Sequence, residues 1–236
     1  MNRERSLTCL LYPTFSRTTT PYLPTPPELD KLLADIRQLT QQYKAGDRQS
    51  FVAFRTLVDR LLRLTVLKQE GGVTLVSLKG GGERLALGGW KGPHDPLPLN
   101  DGRYLRLAIT LELAPTPEGA RLKVYESSFQ YQMDPGGQQW IFRYDYLRHP
   151  PEPHPGAHLQ IRARLLERRF LRRAPTIERI HFPTSRVSLE AVIRLLVQEF
   201  GVQCNQPEEI WRPVLAESER LFFEIAHIPP SGPRRS

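Results

Sequence analysis

The chain has 236 residues, 33 Lys and Arg against 25 Asp and Glu for a formal net charge of +8, and 39% apolar residues. That length buries a core without metal or disulfide staples, and the composition excludes wholesale disorder. The two cysteines, Cys9 and Cys204, are too far apart for zinc-ligand spacing and make no disulfide framework.

The charge is spread over both halves of the chain, and Arg far outnumbers Lys. Arg suits bidentate phosphate contacts, so RNA or DNA is a partner to consider. The apolar stretch Leu7–Tyr12 is too short for a signal peptide, and no segment approaches the roughly 20 apolar residues a membrane span needs. The expectation is a cytoplasmic protein with no membrane contact.

In chain order, residues 1–27 read as a Pro-rich arm, with Pro13, Pro21, Pro24, Pro26 and Pro27 among Ser and Thr. Thr25 is a candidate N-cap, Pro26 a first helical residue and Glu28 the capping-box partner. Leu29, Leu32, Leu33, Ile36, Leu39 and Tyr43 then form an apolar stripe broken at Ala45-Gly46-Asp47. From about Arg48, Phe51, Phe54, Leu57, Val58, Leu61 and Leu62 recur at helical spacing. Residues 28–69 therefore read as a helical hairpin, a surface that could dock a protein partner.

Beyond Gly71-Gly72 the pattern changes to short strands: Val73–Leu78, Arg84–Leu87, Tyr104–Leu113, Ala120–Met133, Gln139–Leu147, His158–Ala163 and Ile177–Phe182. Gly80-Gly81-Gly82 and Asp134-Pro135-Gly136-Gly137 are turn signals, and short connections imply an antiparallel meander. The glycine run lacks the Lys-Ser/Thr ending of a phosphate loop, and Gly88-Gly89-Trp90-Lys91-Gly92 fails the dinucleotide pattern. Ser188 caps a helix carrying Leu189, Val192, Ile193, Leu196 and Phe200, ended by Gly201. A last helix follows Pro207, with Pro213 expected to kink or restart it. Residues 73–228 read as an α+β domain and residues 229–236 as a flexible basic tail. The fold class expected is α+β: mainly an antiparallel meander packed by C-terminal helices, with an N-terminal helical hairpin.

The chemistry concentrates in Trp140–Ile161, WIFRYDYLRHPPEPHPGAHLQI. Strand alternation puts Trp140, Phe142, Tyr144 and Tyr146 on one face and Ile141, Arg143, Asp145 and Leu147 on the other. His149, His154 and His158 follow closely, and His181 comes later. His154 and His158 are spaced i,i+4, but Pro155-Gly156 between them forbids the helix a zinc site would need, so neither metal nor cofactor is expected. Pairing of the two strands would bring His158 to Arg143 and Asp145. Histidine exchanges protons near neutral pH, Asp145 would orient an imidazole, and Arg143 and Arg148 would hold a phosphate. The bland alternative is a cross-sheet ion pair with surface histidines.

Ile161–Arg173, IRARLLERRFLRR, carries Arg162, Arg164, Arg168, Arg169, Arg172 and Arg173 between apolar residues. It reads equally as a nucleic-acid groove or as a charged edge that keeps other strands away.

The order FRYD (Phe142–Asp145), a His-rich loop, HLQI (His158–Ile161), IHFP (Ile180–Pro183) and the helix LEAVIRLLVQEFGV (Leu189–Val202) resembles the TumE-type toxins of bacterial toxin–antitoxin systems over residues 120–202. The chain differs from that family in its length, its N-terminal hairpin and its Arg-rich insertion. The resemblance implies a toxin or defence role and places Arg143, Asp145, His154 and His158 at the matching positions. The expected activity is metal-independent RNA cleavage with His158, Asp145, Arg143 and His154 as the catalytic group. The alternative is a non-catalytic adaptor.

Overall fold

The computed structural model describes residues 27–78, 84–89, 94–117, 119–162 and 182–226. The Thr25–Pro26 helix start, the Gly80-Gly81-Gly82 turn, the Arg-rich stretch beyond Arg162 and the C-terminal tail lie outside them.

Two amphipathic helices open this part of the chain, α1 (Pro27–Lys44) and α2 (Arg48–Leu64). Asp47 caps α2 by accepting from Ser50 N at 2.9 Å, and Ser50 Oγ accepts in return from Asp47 N. Gly46 makes the tight reversal between them with φ of +74°, and a Cβ there would fall 1.8 Å from the Ala120 carbonyl oxygen. Only glycine meets both demands. The stripes close on each other and on the sheet: Ile36, Leu61 and Leu62 are fully buried. Truncating a leucine so placed to alanine costs about 2–5 kcal/mol.

Among the described residues, eight strands form one antiparallel sheet: β1 (Thr74–Ser77), β2 (Arg84–Gly88), β3 (Leu97–Pro98), β4 (Tyr104–Thr116), β5 (Gly119–Gln132), β6 (Trp140–Leu147), β7 (Ala157–Ile161) and β8 (Phe182–Pro183). The order is β1-β2-β4-β5-β6-β7-β8, and β3 pairs with β4. The fold is α+β, with an N-terminal helical pair, an antiparallel sheet and C-terminal helices. The hairpin and the sheet share one hydrophobic core.

Two bulges decide which side chains meet. On β5, Glu126 pairs with Thr110 and Val124 with Leu111, which leaves Tyr125 as an extra residue. Leu122 and Val124 therefore face the helices, and beyond the bulge so do Ser127, Phe129 and Tyr131, all buried. On β6, Phe142 pairs with Tyr131 but Trp140 pairs with Gln132, so Ile141 is the extra residue. This corrects the expected alternation. Phe142 and Tyr144 pack in the core, joined by Ile141, and Trp140 sits opposite Gln132 on the far face. Phe142 meets Tyr131 and Phe200 at centroid distances of 5.7 and 5.5 Å.

Helix α3 (Leu189–Gln198) starts at Ser188, whose Oγ accepts from Ala191 N at 3.0 Å. It ends where Gly201, at φ +68°, lets Val202 N donate to Leu196 O at 3.0 Å. Helix α4 (Glu208–Ala226) runs through Pro213 without restarting, where the sequence leaves a kink or a restart open. Buried Trp211, Val214 and Leu215 anchor both sides of the proline and outweigh the backbone hydrogen bond it cannot make. Among the described residues, no helix is long and apolar enough to cross a membrane.

Candidate active site

The side of the sheet away from the helices carries polar residues in rows that cross four strands. The register aligns Ala108, Ser128, Asp145 and His158 in one row, and Arg106, Gln130, Arg143 and Gln160 in the next. Period-two alternation produces these rows. The Tyr125 bulge brings β5 into them, since without it the serines and glutamines would change faces.

Within the rows Asp145 is the hub. Its Oδ2 accepts from Arg143 Nε at 2.7 Å and lies 3.4 Å from His158 Nε2. Arg143 Nη2 also donates to Gln160 Oε1. His158 is buried, with 4% of its side chain exposed, whereas Asp145 and Arg143 keep 22% and 37% exposed at the surface of the cleft. The imidazole is thus sheltered while its carboxylate and guanidinium neighbours remain accessible to a ligand.

His154 comes from the Pro-rich connection between β6 and β7. The connection closes through Leu147 N donating to Gly156 O at 2.7 Å and folds on itself through His154 N donating to Pro151 O at 2.7 Å. The His154 ring then stands edge-on to His158, 4.8 Å between centroids. Its Nδ1 lies 2.9 Å from Pro155 O, a carbonyl that only accepts, a contact that suits the tautomer with its proton on Nδ1. Arg143, Asp145, His154 and His158 line one cleft of about 320 Å³ together with Glu126, Ser127, Ser128 and Tyr146.

The remaining candidates divide. Arg148, expected beside Arg143 as a second phosphate holder, points elsewhere: its Nε donates to Val124 O at 3.0 Å, and it lines a separate pocket. It follows the last residue of β6 and so does not obey the strand's alternation. His149 packs its ring against Tyr125 at 6.2 Å and is not part of the cleft lining. Arg162 reaches back to donate to Gln138 O at the β5–β6 turn. Arg164, Arg168, Arg169, Arg172, Arg173 and His181 lie outside the described residues.

The sequence reading missed Glu126, which lines the cleft with Oε1 accepting from Thr110 Oγ1 at 2.8 Å. A hydroxyl and a carboxylate on facing strands are a weak signal until the bulge beside them is known. Among the described residues no group of three or more His, Cys, Asp and Glu is placed to hold a metal ion.

No family model, no curated protein and no solved structure matches this chain.

Proposed function

We propose that the cleft cleaves RNA by paired acid–base catalysis, in a cytoplasmic protein with a toxin or defence role of the kind its resemblance to TumE-type toxins implies. The observation that carries the reading is one cleft holding two imidazoles 4.8 Å apart, the inner one beside Asp145 and Arg143. His154 Nε2 removes the proton of a ribose 2′-hydroxyl. The resulting oxygen attacks the adjacent phosphorus, and the P–O5′ bond breaks. His158, as an imidazolium stabilised by Asp145, gives its proton to the departing 5′-oxygen. The products are a 2′,3′-cyclic phosphate and a 5′-hydroxyl. Arg143, anchored on Asp145 and Gln160, presents positive charge to the phosphoryl oxygens as negative charge builds on them.

The adaptor reading has less support, because the apolar stripes of α1 and α2 are already buried in the protein's own core. A chimeric oligonucleotide with one ribonucleotide among deoxynucleotides separates the two readings. The proposal expects a single cut on the 3′ side of that ribonucleotide. Equal cutting of the all-deoxy strand, or binding of both strands without a cut, overturns it.

A further inference from the structure

On the helix side of the sheet, a pocket lies between α1, α2, the start of β5 and α4. Tyr43, Phe54, Phe222 and Leu122 supply its apolar surface, and Arg148 and Arg186 its charge. Arg121 and Lys123 stand along the same wall. It has a volume of about 50 Å³ and adjoins a second space of about 40 Å³ that shares Tyr43, Phe54, Arg186 and Phe222.

We infer that this pocket binds a small amphiphilic oxyanion, a carboxylate or phosphate carried on an aryl or short acyl group, with the anionic end between Arg148 and Arg186. The Arg186 guanidinium packs against two aromatic rings, its carbon 4.7 Å from the Tyr146 centroid and 4.8 Å from that of Phe222. Rings satisfy the faces of a guanidinium but not the five N–H donors at its edge.

Among the described residues, no carboxylate forms an ion pair with Arg186, Arg148, Arg121 or Lys123. A buried acid, Glu190, lines the adjoining space but accepts from Ser218 Oγ at 2.6 Å. Burial lowers the Arg186 pKa; Tyr146 and Tyr43 act to raise it, and the positive charge of Arg148 acts with burial. Two guanidinium groups that repel each other beside aromatic walls, with no acid between them, favour an anion that satisfies both.

The dimensions suit one small molecule rather than a polymer strand, and the apolar walls favour an anion with a hydrophobic end. This inference stands apart from the cleavage reaction, since the residues lining the pocket are not those lining the cleft, although Tyr146, on which Arg186 packs, also borders the cleft.

Calorimetric titration of the full chain at low salt tests it, with phenyl phosphate, benzoate, inorganic phosphate and benzyl alcohol as probes. Phenyl phosphate or benzoate is expected to saturate one site per chain and to raise the unfolding temperature. Inorganic phosphate is expected to bind about tenfold more weakly for want of the apolar contact, and benzyl alcohol not to saturate.

Arg148→Gln, which among the described residues gives up the side-chain hydrogen bond to Val124 O, is expected to weaken phenyl phosphate at least about tenfold while leaving the circular dichroism unchanged. Phe222→Ala is expected to abolish the preference for phenyl phosphate over inorganic phosphate. Saturable binding of benzyl alcohol at equal affinity, an unchanged affinity in Arg148→Gln, or no saturable binding of either aryl anion at millimolar concentration overturns the inference.

Discussion

Asp145 and His158 stand directly opposite one another on β6 and β7, with His158 Nε2 3.4 Å from Asp145 Oδ2. The same carboxylate oxygen accepts from Arg143 Nε, so one acidic group orients both the proton donor and the cation of the proposed reaction. Removing its charge while keeping its shape separates this role from packing. Asp145→Asn is expected to lower kcat for RNA cleavage about 100-fold while the chain still folds, checked by single-turnover kinetics beside circular dichroism. An unchanged kcat would remove Asp145 from the mechanism.

Arg143 bridges two partners, Asp145 through Nε and Gln160 through Nη2. A lysine keeps the charge but cannot hold both in the plane of a fork. Arg143→Lys is therefore expected to lose about 10–100-fold in kcat with little change in KM, because the phosphoryl contact strengthens as charge builds in the transition state. A rise in KM alone would assign Arg143 to ground-state binding.

Glu190 is buried on α3, and burial raises its pKa above the ordinary carboxylate value despite the hydrogen bond from Ser218. A raised carboxyl pKa means that the folded state holds the proton more tightly than the unfolded chain. The associated stability is present below the unfolded pKa of about 4.3 and is lost as pH rises through the folded value. Glu190→Gln can still accept from Ser218 and has no charge to bury. It is expected to be more stable than the parent at pH near 8 and about equal at pH near 4, by urea denaturation at each pH. A variant less stable at the higher pH would contradict this reading of burial.

Pro213 interrupts the hydrogen bonding of a helix that stays continuous because Trp211, Val214 and Leu215 are buried. Pro213→Ala restores a donor at no cost to those contacts and is expected to raise the unfolding temperature by about 2–4 °C, for a gain of about 1 kcal/mol in a chain of this size. A lower unfolding temperature would show that the pyrrolidine ring itself contributes to packing.

The residues of the cleft were legible where a simple periodicity governs them. Alternation along Arg143–Asp145 and along His158–Gln160 places those side chains on one face once the two strands pair across the nine-residue connection, and the register sets them opposite each other. Legibility stopped at irregular backbone. The extra Tyr125 brings Glu126 to the cleft, and the extra Ile141 takes Trp140 out of the aromatic face. Neither leaves a mark in composition, because a bulge arises from pairing between strands far apart in the chain. Arg148 begins a loop, so strand logic could not show that it turns toward Val124. β3 was missed because two residues, one of them proline, make no pattern. The helices were legible from their stripes, and α3 also from its Ser188 cap, apart from the continuity through Pro213, which depends on tertiary burial that the local sequence does not express.

The most direct test of the central claim is the product analysis of an end-labelled RNA incubated with the full chain in the presence of EDTA, beside His158→Ala and His154→Ala proteins purified identically. The account predicts fragments ending in 2′,3′-cyclic phosphate from the parent chain, and a rate lower by at least about 100-fold in each variant. Fragments produced equally by the parent and both variants, or none from any of them, would contradict it.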